Sequence, residues 1–284
     1  MIEPARIVDR QIWRESGVSL GRRSIPEETA VALTYNGGTY AVMMTTPQDL
    51  KDFAVGFSLS EGIISSIADI DSLDIVPLDD GVELRMWLTK PKADRLQERR
   101  RHIAGPTGCG LCGIDSIAEA IRPAAVVGHG RQFSSEQIMA AMQSLPLLQK
   151  LNIETRAVHA AAFWDVVRGI AALREDVGRH NALDKLSGAL ARASIAASEG
   201  IILLTSRVSV EMVQKSAAIG APVMVSVSAP TALAVRMADA AGITLAAIAR
   251  ADGFEVFTHP CRISDGDVAI SPVGKGYAHA TANR

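Results

Sequence analysis

The chain has 284 residues, enough for one large domain or two modest ones, and 48% of them are hydrophobic, ample for a core. A net charge of −2 and an aromatic content of 4% argue against a nucleic-acid surface or a base-stacking platform. No run approaches the roughly 18 apolar residues of a membrane span, and the charged start "MIEPARIVDRQIWRESG" lacks the apolar stretch of a signal peptide, so a cytoplasmic protein is expected.

The first hundred residues read as a small α+β unit. Strands at 31–33 and 39–44 flank "TYNGG", in which Asn36-Gly37 is a hairpin signal. "TTPQDLKDFAVGFSLSEGII" reads as a helix capped by Thr46, with Pro47 at its first position and Gly62 at its end. Leu50, Phe53, Ala54, Phe57 and Leu59 supply its apolar side. Strand-like runs follow near Ile75 and over 82–88. The charged stretch "KPKADRLQERRRH" then leads to "GCGLCG", residues 108–113.

Past the cysteines the pattern changes. Residues 134–148 read as a helix with a capping box, Ser134 with Gln137. Residues 157–165 and 169–173 resemble two strands joined by a turn. A helix over 179–193 buries Leu183, Leu186 and Leu190 at spacings of three and four. Strands and helices then alternate: "IILLT", "SVEMVQKSAAIG", "VMVSV", "TALAVRMADAAG", "ITLAAIA" and "FEVFTH". Short unbroken apolar strands between helices predict an α/β fold whose sheet is mostly parallel and covered on both faces. The expected organisation is a small α+β domain over 1–104 and an α/β domain over 105–284 that begins with the cysteine loop.

In such a sheet, ligands gather outside the carboxyl ends of the strands. Three loops should meet there: "TSRVS" at 205–209, "SAPT" at 228–231 and "ARADG" at 249–253. The first two enter helix N-termini, which suit phosphate, and Arg207 and Arg250 add positive charge to the rim. Ser209 and Thr231 also fit as ordinary caps. "REDVGRHNALDKL" places His180 and Asp184 on one helix face, flanked by Asp176, Arg179 and Lys185. That stretch fits a site at the sheet edge, or a capped helix start with a solvated face.

The pair Cys109 and Cys112 admits three chemistries. Structural zinc needs about four ligands, and the remaining material is His259 with Cys261 at poor spacing, so no structural metal is expected. A thioredoxin-type redox pair sits at the start of a helix, but Gly110 and Gly113 make this motif looser than a compact redox site. Sulfur carriage needs an accessible thiolate on a mobile backbone. The glycines on either side of Cys109 provide the mobility, the nearby run Arg99–Arg100–Arg101–His102 favours thiolate, and Cys112 can resolve the persulfide. Composition leaves redox and sulfur transfer both open.

"GCGLCG", "VHAAAFWD", "REDVGRHNALDKL", "SRVSVEMVQKSAAIGAPVMVSVSAPTALAVRMADAAGITLAAIAR" and "THPCRI", in this order, resemble the formate dehydrogenase accessory sulfurtransferase family, FdhD, from about Asn36 to Ile263. The resemblance implies a protein that takes sulfur from a cysteine desulfurase as a cysteine persulfide. It hands the sulfur to the molybdenum cofactor in its bis(molybdopterin guanine dinucleotide) form, which formate dehydrogenase needs for activity. The family's carrier cysteine falls on Cys109, and Cys112 is the second cysteine of the motif. Its cofactor-binding hexapeptide falls on Ile248, Ala249, Arg250, Ala251, Asp252 and Gly253, the third of the loops above. Arg207, Ser228, Thr231 and His180 join them as expected binding residues. Ile248 stands where many members have an aromatic, and "PTG" precedes the cysteines where a serine pair is common. The family's fold resembles cytidine deaminases, a three-layer domain. A deaminase puts metal ligands at the starts of its second and third helices, but here these read "GRHNALDK" and "SRVSVEM", without cysteine. A large two-armed anionic cofactor suits a two-fold homodimer. A cofactor chaperone that does not use Cys109, and a zinc deaminase, are the rival readings.

Overall fold

The computed structural model describes residues 2–102 and 122–264. The expected domain boundary at 104/105 and the two motif cysteines, Cys109 and Cys112, lie outside these residues.

The chain opens with an antiparallel ribbon, β1 (Ala5–Arg14) and β2 (Gly17–Pro26), that the sequence reading passed over. β3 (Thr29–Tyr35), β4 (Gly38–Thr45), β5 (Ile70–Leu78) and β6 (Gly81–Leu88) form a sheet of order β4-β3-β6-β5. The β3–β4 turn is the Asn36-Gly37 pair, with φ of 50° and 80°. Two successive left-handed residues match the right-handed twist of a tight hairpin. α1 (Leu50–Ser60) packs on this sheet, with Phe53 and Phe57 against Val31, Leu33, Leu84 and Met86. The charged stretch after β6 is a helix, α2 (Lys90–His102), seated on the same core through Ala93 and Leu96.

Two helix boundaries differ from expectation. α1 begins at Leu50 rather than at Pro47, and its cap position is Asp49, left-handed at φ 54° with no side-chain cap bond. Thr46 is engaged elsewhere, as described below. The predicted helix 134–148 is α3 (Ser135–Ser144), a 3-10 turn (Pro146–Leu148) and α4 (Lys150–Thr155). Pro146 has no N–H to continue the α-helical ladder. The capping box is present: Ser134 Oγ accepts from Gln137 N–H at 3.1 Å and Gln137 Oε1 accepts from Ser134 N–H at 3.0 Å.

The second sheet has order β12-β11-β10-β9-β7-β8. Its strands are β7 (His159–Asp165), β8 (Gly169–Asp176), β9 (Ile201–Leu204), β10 (Val223–Ser226), β11 (Thr244–Arg250) and β12 (Gly253–Thr258). It is mixed rather than mostly parallel. Only β9–β10 and β10–β11 pair in parallel, while β7–β8, β7–β9 and β11–β12 are antiparallel. The tight turns after β7 and β11 leave no room for a crossover, and a short connection forces antiparallel pairing. α5 (Arg179–Arg192), α6 (Val210–Ile219) and α7 (Ala232–Ala240) cover one face through Leu183, Met212 and Ala238. α3 covers the other through Ile138 and Met142.

The two sheets are joined where α1 crosses α5. A Cβ on Gly56 would lie 1.7 Å from Asp184 O, and one on Gly188 1.9 Å from Asp52 O. The two helix backbones touch, and only glycine permits that approach.

Candidate functional site

β8, β9, β10 and β11 all end at one edge of the six-stranded sheet, and β7, running the other way, begins there. The loops that leave β9, β10 and β11 are tied to one another by their main chains. Val208 N–H donates to Ala229 O at 3.3 Å, Thr231 N–H to Val208 O at 3.0 Å, and Ile248 N–H to Ser228 O at 3.3 Å. Side chains add to this: Ser226 Oγ donates to Ser206 O at 2.6 Å and accepts from Ser228 N–H at 3.1 Å. The three loops expected to converge therefore do so.

Within this frame Thr231 caps α7, its hydroxyl accepting from Ala234 N–H at 3.2 Å. Ser209 occupies the cap position of α6 but makes no cap bond; its hydroxyl donates instead to the Glu211 carboxylate at 2.7 Å. Arg207, Arg250 and Asp252 are exposed, and none has an ion-pair partner among the described residues. The expected loop 248–253 is the end of β11 and the start of β12, joined by a two-residue turn at Ala251 and Asp252, with Arg250 paired to Gly253. Ile248 sits in this segment at φ 53°. A β-branched residue in the left-handed region is strained, and such strain gathers at functional positions.

The neighbouring stretch 174–186 divides into two parts. Its Asp176 is wholly buried. The carboxylate accepts from the Thr45 hydroxyl, from Thr46 N–H at 3.0 Å, Gly178 N–H at 2.8 Å, the Asn181 amide at 3.0 Å and the equally buried Lys185 ammonium at 2.6 Å. Lys185 also donates to Thr46 O at 2.8 Å, and the Thr46 hydroxyl accepts from Val177 N–H at 3.1 Å. Burial pushes the Lys185 pKa down. This cluster staples the end of β4 to the end of β8 and the first turns of α5. The other part faces α6. Asp184 takes Lys215 at 2.7 and 2.8 Å and the Ser60 hydroxyl at 2.7 Å. One turn earlier His180 Nε2 lies 3.4 Å from Glu211. That imidazole, with the Ser209 hydroxyl, holds the Glu211 pKa at about 2. His180 and Asp184 thus share a helix face, as their spacing predicts, and face Glu211 and Lys215, which are also four apart.

His159, the first residue of β7, pairs with Asp176 in the β7–β8 register. Burial lowers its pKa, and the nearby Arg179 charge lowers it further. His259 and Cys261 lie at the opposite edge, where His259 O accepts from the hydroxyl of Thr244, the first residue of β11. Among the described residues no group of three or more His, Cys, Asp or Glu side chains is arranged to hold a metal ion. Arg122, which follows the cysteine-bearing stretch, donates to Ser60 O at 3.3 Å, and its carbonyl accepts from the Gln214 amide of α6 at 2.9 Å.

The FdhD/NarQ family matches residues 26–264, a span that covers both sheets and every loop just described. The chain belongs to the FdhD/NarQ family. Among FdhD relatives, the sulfur carrier protein FdhD of Agrobacterium fabrum is 52% identical over 91% of this chain and 96% of its own length. That of Cupriavidus necator is 48% identical over 88% and 87%. A crystal structure of a Desulfotalea psychrophila protein named as a formate dehydrogenase accessory protein superposes with a TM-score of 0.72, covering 92% of this chain and 100% of that one at 23% identity. It shares the fold.

Sequence reasoning missed Glu211 and His159 in this FdhD chain. Glu211 follows Ser209 by two residues at a helix start, a recognisable pairing. His159 was hidden by strand direction: an antiparallel strand brings its beginning, not its end, to the edge where parallel strands finish.

Proposed function

We propose that this chain is a sulfurtransferase that carries sulfur on Cys109 to a molybdenum cofactor bound at the carboxyl edge of the six-stranded sheet. The single observation that carries the reading is family membership over 26–264, with relatives named as sulfur carriers near 50% identity. The interlocked loops, and Arg207 and Arg250, which have no ion-pair partner among the described residues, support the place of binding. In the proposed reaction the Cys109 thiolate attacks the outer sulfur of a cysteine desulfurase persulfide. The donor's S–S bond breaks, its thiolate leaves, and no net oxidation occurs. For delivery, the Cys112 thiolate attacks the sulfur of Cys109. A disulfide forms between the two, and the outer sulfur departs as sulfide to molybdenum, reduced by the pair of electrons the two thiolates give up.

The bis(molybdopterin guanine dinucleotide) cofactor is the substrate in this reading. Arg207, Ser228, Thr231 and the 248–253 segment hold its phosphate and guanine ends, and His180 lies at the border of the site. The scaffold is a deaminase-like domain whose two helix starts present His180 and the Ser209–Glu211 pair in place of metal ligands. Arg122, the first described residue after the motif cysteines, is held by Gln214, on the helix that starts beside Ser209. Formate dehydrogenase is the client, and a homodimer would offer one edge to each arm of the cofactor.

The test incubates the protein with cysteine and a desulfurase and reads intact mass before and after reductant. Wild type gains a reducible adduct with the mass of one sulfur atom, and Cys109→Ser does not. An adduct that persists in Cys109→Ser removes Cys109 as carrier. Absence of any adduct in wild type, with guanosine diphosphate still bound, favours the cofactor chaperone.

A further inference from the structure

We propose that the β1–β2 ribbon of one copy of this chain docks on the free β5 edge of a second copy, reciprocally across a two-fold axis. A two-stranded ribbon standing alone is marginally stable in water. Here each strand is ten residues long, and among the described residues β1 and β2 pair only with each other. Trp13 and Val18 stand directly opposite one another, Leu20 is next on the same face, and all three are exposed. An exposed apolar cluster of this kind marks a contact surface. Trp and Arg are the residues most enriched among those that carry binding energy, and the ribbon is rich in arginine as well.

Charge identifies the occupant. Residues 5–26 hold Arg6, Arg10, Arg14, Arg22 and Arg23 against Asp9 and Glu15, a net +3 in a chain whose total is −2, so the rest carries −5. The opposite charge is concentrated: from Asp52 to Leu84 there is no Lys or Arg, and this stretch contains β5. β5 is the last strand of its sheet, and no strand pairs with its outer side. Asp71 on it and Asp79 and Asp80 just after it are exposed, as are Ile75 and Leu78 between them. The nearest bases, Arg85 and Lys92, pair with Glu83 and Asp69, so Asp71, Asp79 and Asp80 have no ion-pair partner among the described residues. Aspartates on a free edge repel a second β5 and bar the stacking of like strands. They attract a ribbon of the other sign.

β2 is the strand held to its own body, through Arg23 to Thr155 O and Ser24 to Glu154. β1, which carries Arg6, Arg10 and Arg14, makes no such bond and is the strand free to pair. A strand added to a sheet edge bonds main chain to main chain, and here it would set the arginines of β1 beside the aspartates of β5. The two ten-residue strands and the nine-residue β5 together supply about the 20–30 residues a side of a standard interface. The homodimer belongs to the reading above; the surfaces that form it are assigned here from charge and exposure alone.

The experiment is sedimentation velocity on the full chain across a concentration series. Wild type is expected to run as a dimer that dissociates on dilution. Arg10→Glu with Arg14→Glu, and separately Asp71→Lys with Asp74→Lys, should each weaken association by about tenfold or more, because like charges then meet at both contacts. Mixed in equal amounts, the two charge-reversed chains should pair, since each ribbon then meets an edge of opposite sign. Circular dichroism reports folding. Asp74 stands opposite Arg85 in the β5–β6 register, so Asp71→Lys alone replaces the pair if the double variant does not fold. A monomeric wild type, a dimer that neither reversal weakens, or reversed chains that stay apart on mixing would each overturn the assignment. Sulfur uptake is read on the same samples. A Cys109 adduct on a monomeric wild type sinks this inference alone, and an interface that passes every test in a protein that takes up no sulfur sinks the sulfurtransferase reading alone.

Discussion

Asp176 and Lys185 show what a single pair of residues contributes here. Both are fully buried, so each charge depends on the other and on the Thr45, Thr46 and Asn181 groups around them. Removing one partner strands the other in a medium that solvates it poorly, which costs about 3–5 kcal/mol. Lys185→Met should therefore lower unfolding free energy in a urea titration by about that much, and adding Asp176→Asn should restore part of the loss. Glu211 makes a different prediction. Its folded pKa of about 2 lies below the ordinary carboxylate value of 4.5. The unfolded state thus takes up a proton first as pH falls. Glu211 stabilises the fold above about pH 4.5, and that contribution disappears as pH drops toward 2. Melting temperature in this window should fall less steeply for Glu211→Gln than for wild type; parallel slopes would refute the assignment.

At the scale of elements, legibility tracked how local the deciding physics was. The Asn36-Gly37 hairpin, the Ser134–Gln137 capping box and the alternation of strand and helix after Gly200 each depend on neighbours in sequence, and all three appear as read. Thr46 looked like a helix cap because threonine before proline usually is one, but its hydroxyl and main chain serve β8 and α5, which are more than a hundred residues away. α2 escaped notice because its sequence is strongly charged and, among its described side chains, Ala93 and Leu96 alone join the core. Sheet direction was misjudged for the same kind of reason: the two hairpins at the sheet's margins carry ordinary strand composition. The convergence of three loops was legible from topology, whereas the position of His159 at the same edge needed a strand orientation that no local pattern encodes. The α1–α5 crossing gives the sharpest element-level prediction. Gly56→Ala and Gly188→Ala each place a methyl inside the other helix's backbone, so the helices must separate. Each should cost about 3 kcal/mol, at the upper end for overpacking, measured by denaturant unfolding. Gly62→Ala, with open space around the position but a φ of 66°, should cost about 1 kcal/mol through backbone strain alone.

For the whole molecule, core and periphery are clearly separated. No residue of β1 or β2 belongs to a buried cluster, and Trp13 and Leu20 are 75% and 82% exposed. The ribbon reaches the rest of the fold through Arg23 to Thr155 O at 3.1 Å and Ser24 to Glu154 at 2.5 Å. The family match begins at residue 26, where the ribbon ends. Deleting residues 2–26 should leave circular dichroism cooperative and shift Tm by no more than about 4 °C, the equivalent of about 1 kcal/mol for a chain of this size. A larger drop would show that the ribbon carries folding energy. Apart from the Ser226 hydroxyl, the bonds that hold the three rim loops together run from main chain to main chain: Val208 to Ala229, Thr231 to Val208, Ile248 to Ser228. They are therefore indifferent to which side chains project from positions 207, 229, 250 and 252. Descendants of this sequence can exchange those residues, and an engineer can randomise them, without dismantling the platform on which they stand. Ligand preference in this scaffold can therefore drift faster than its architecture.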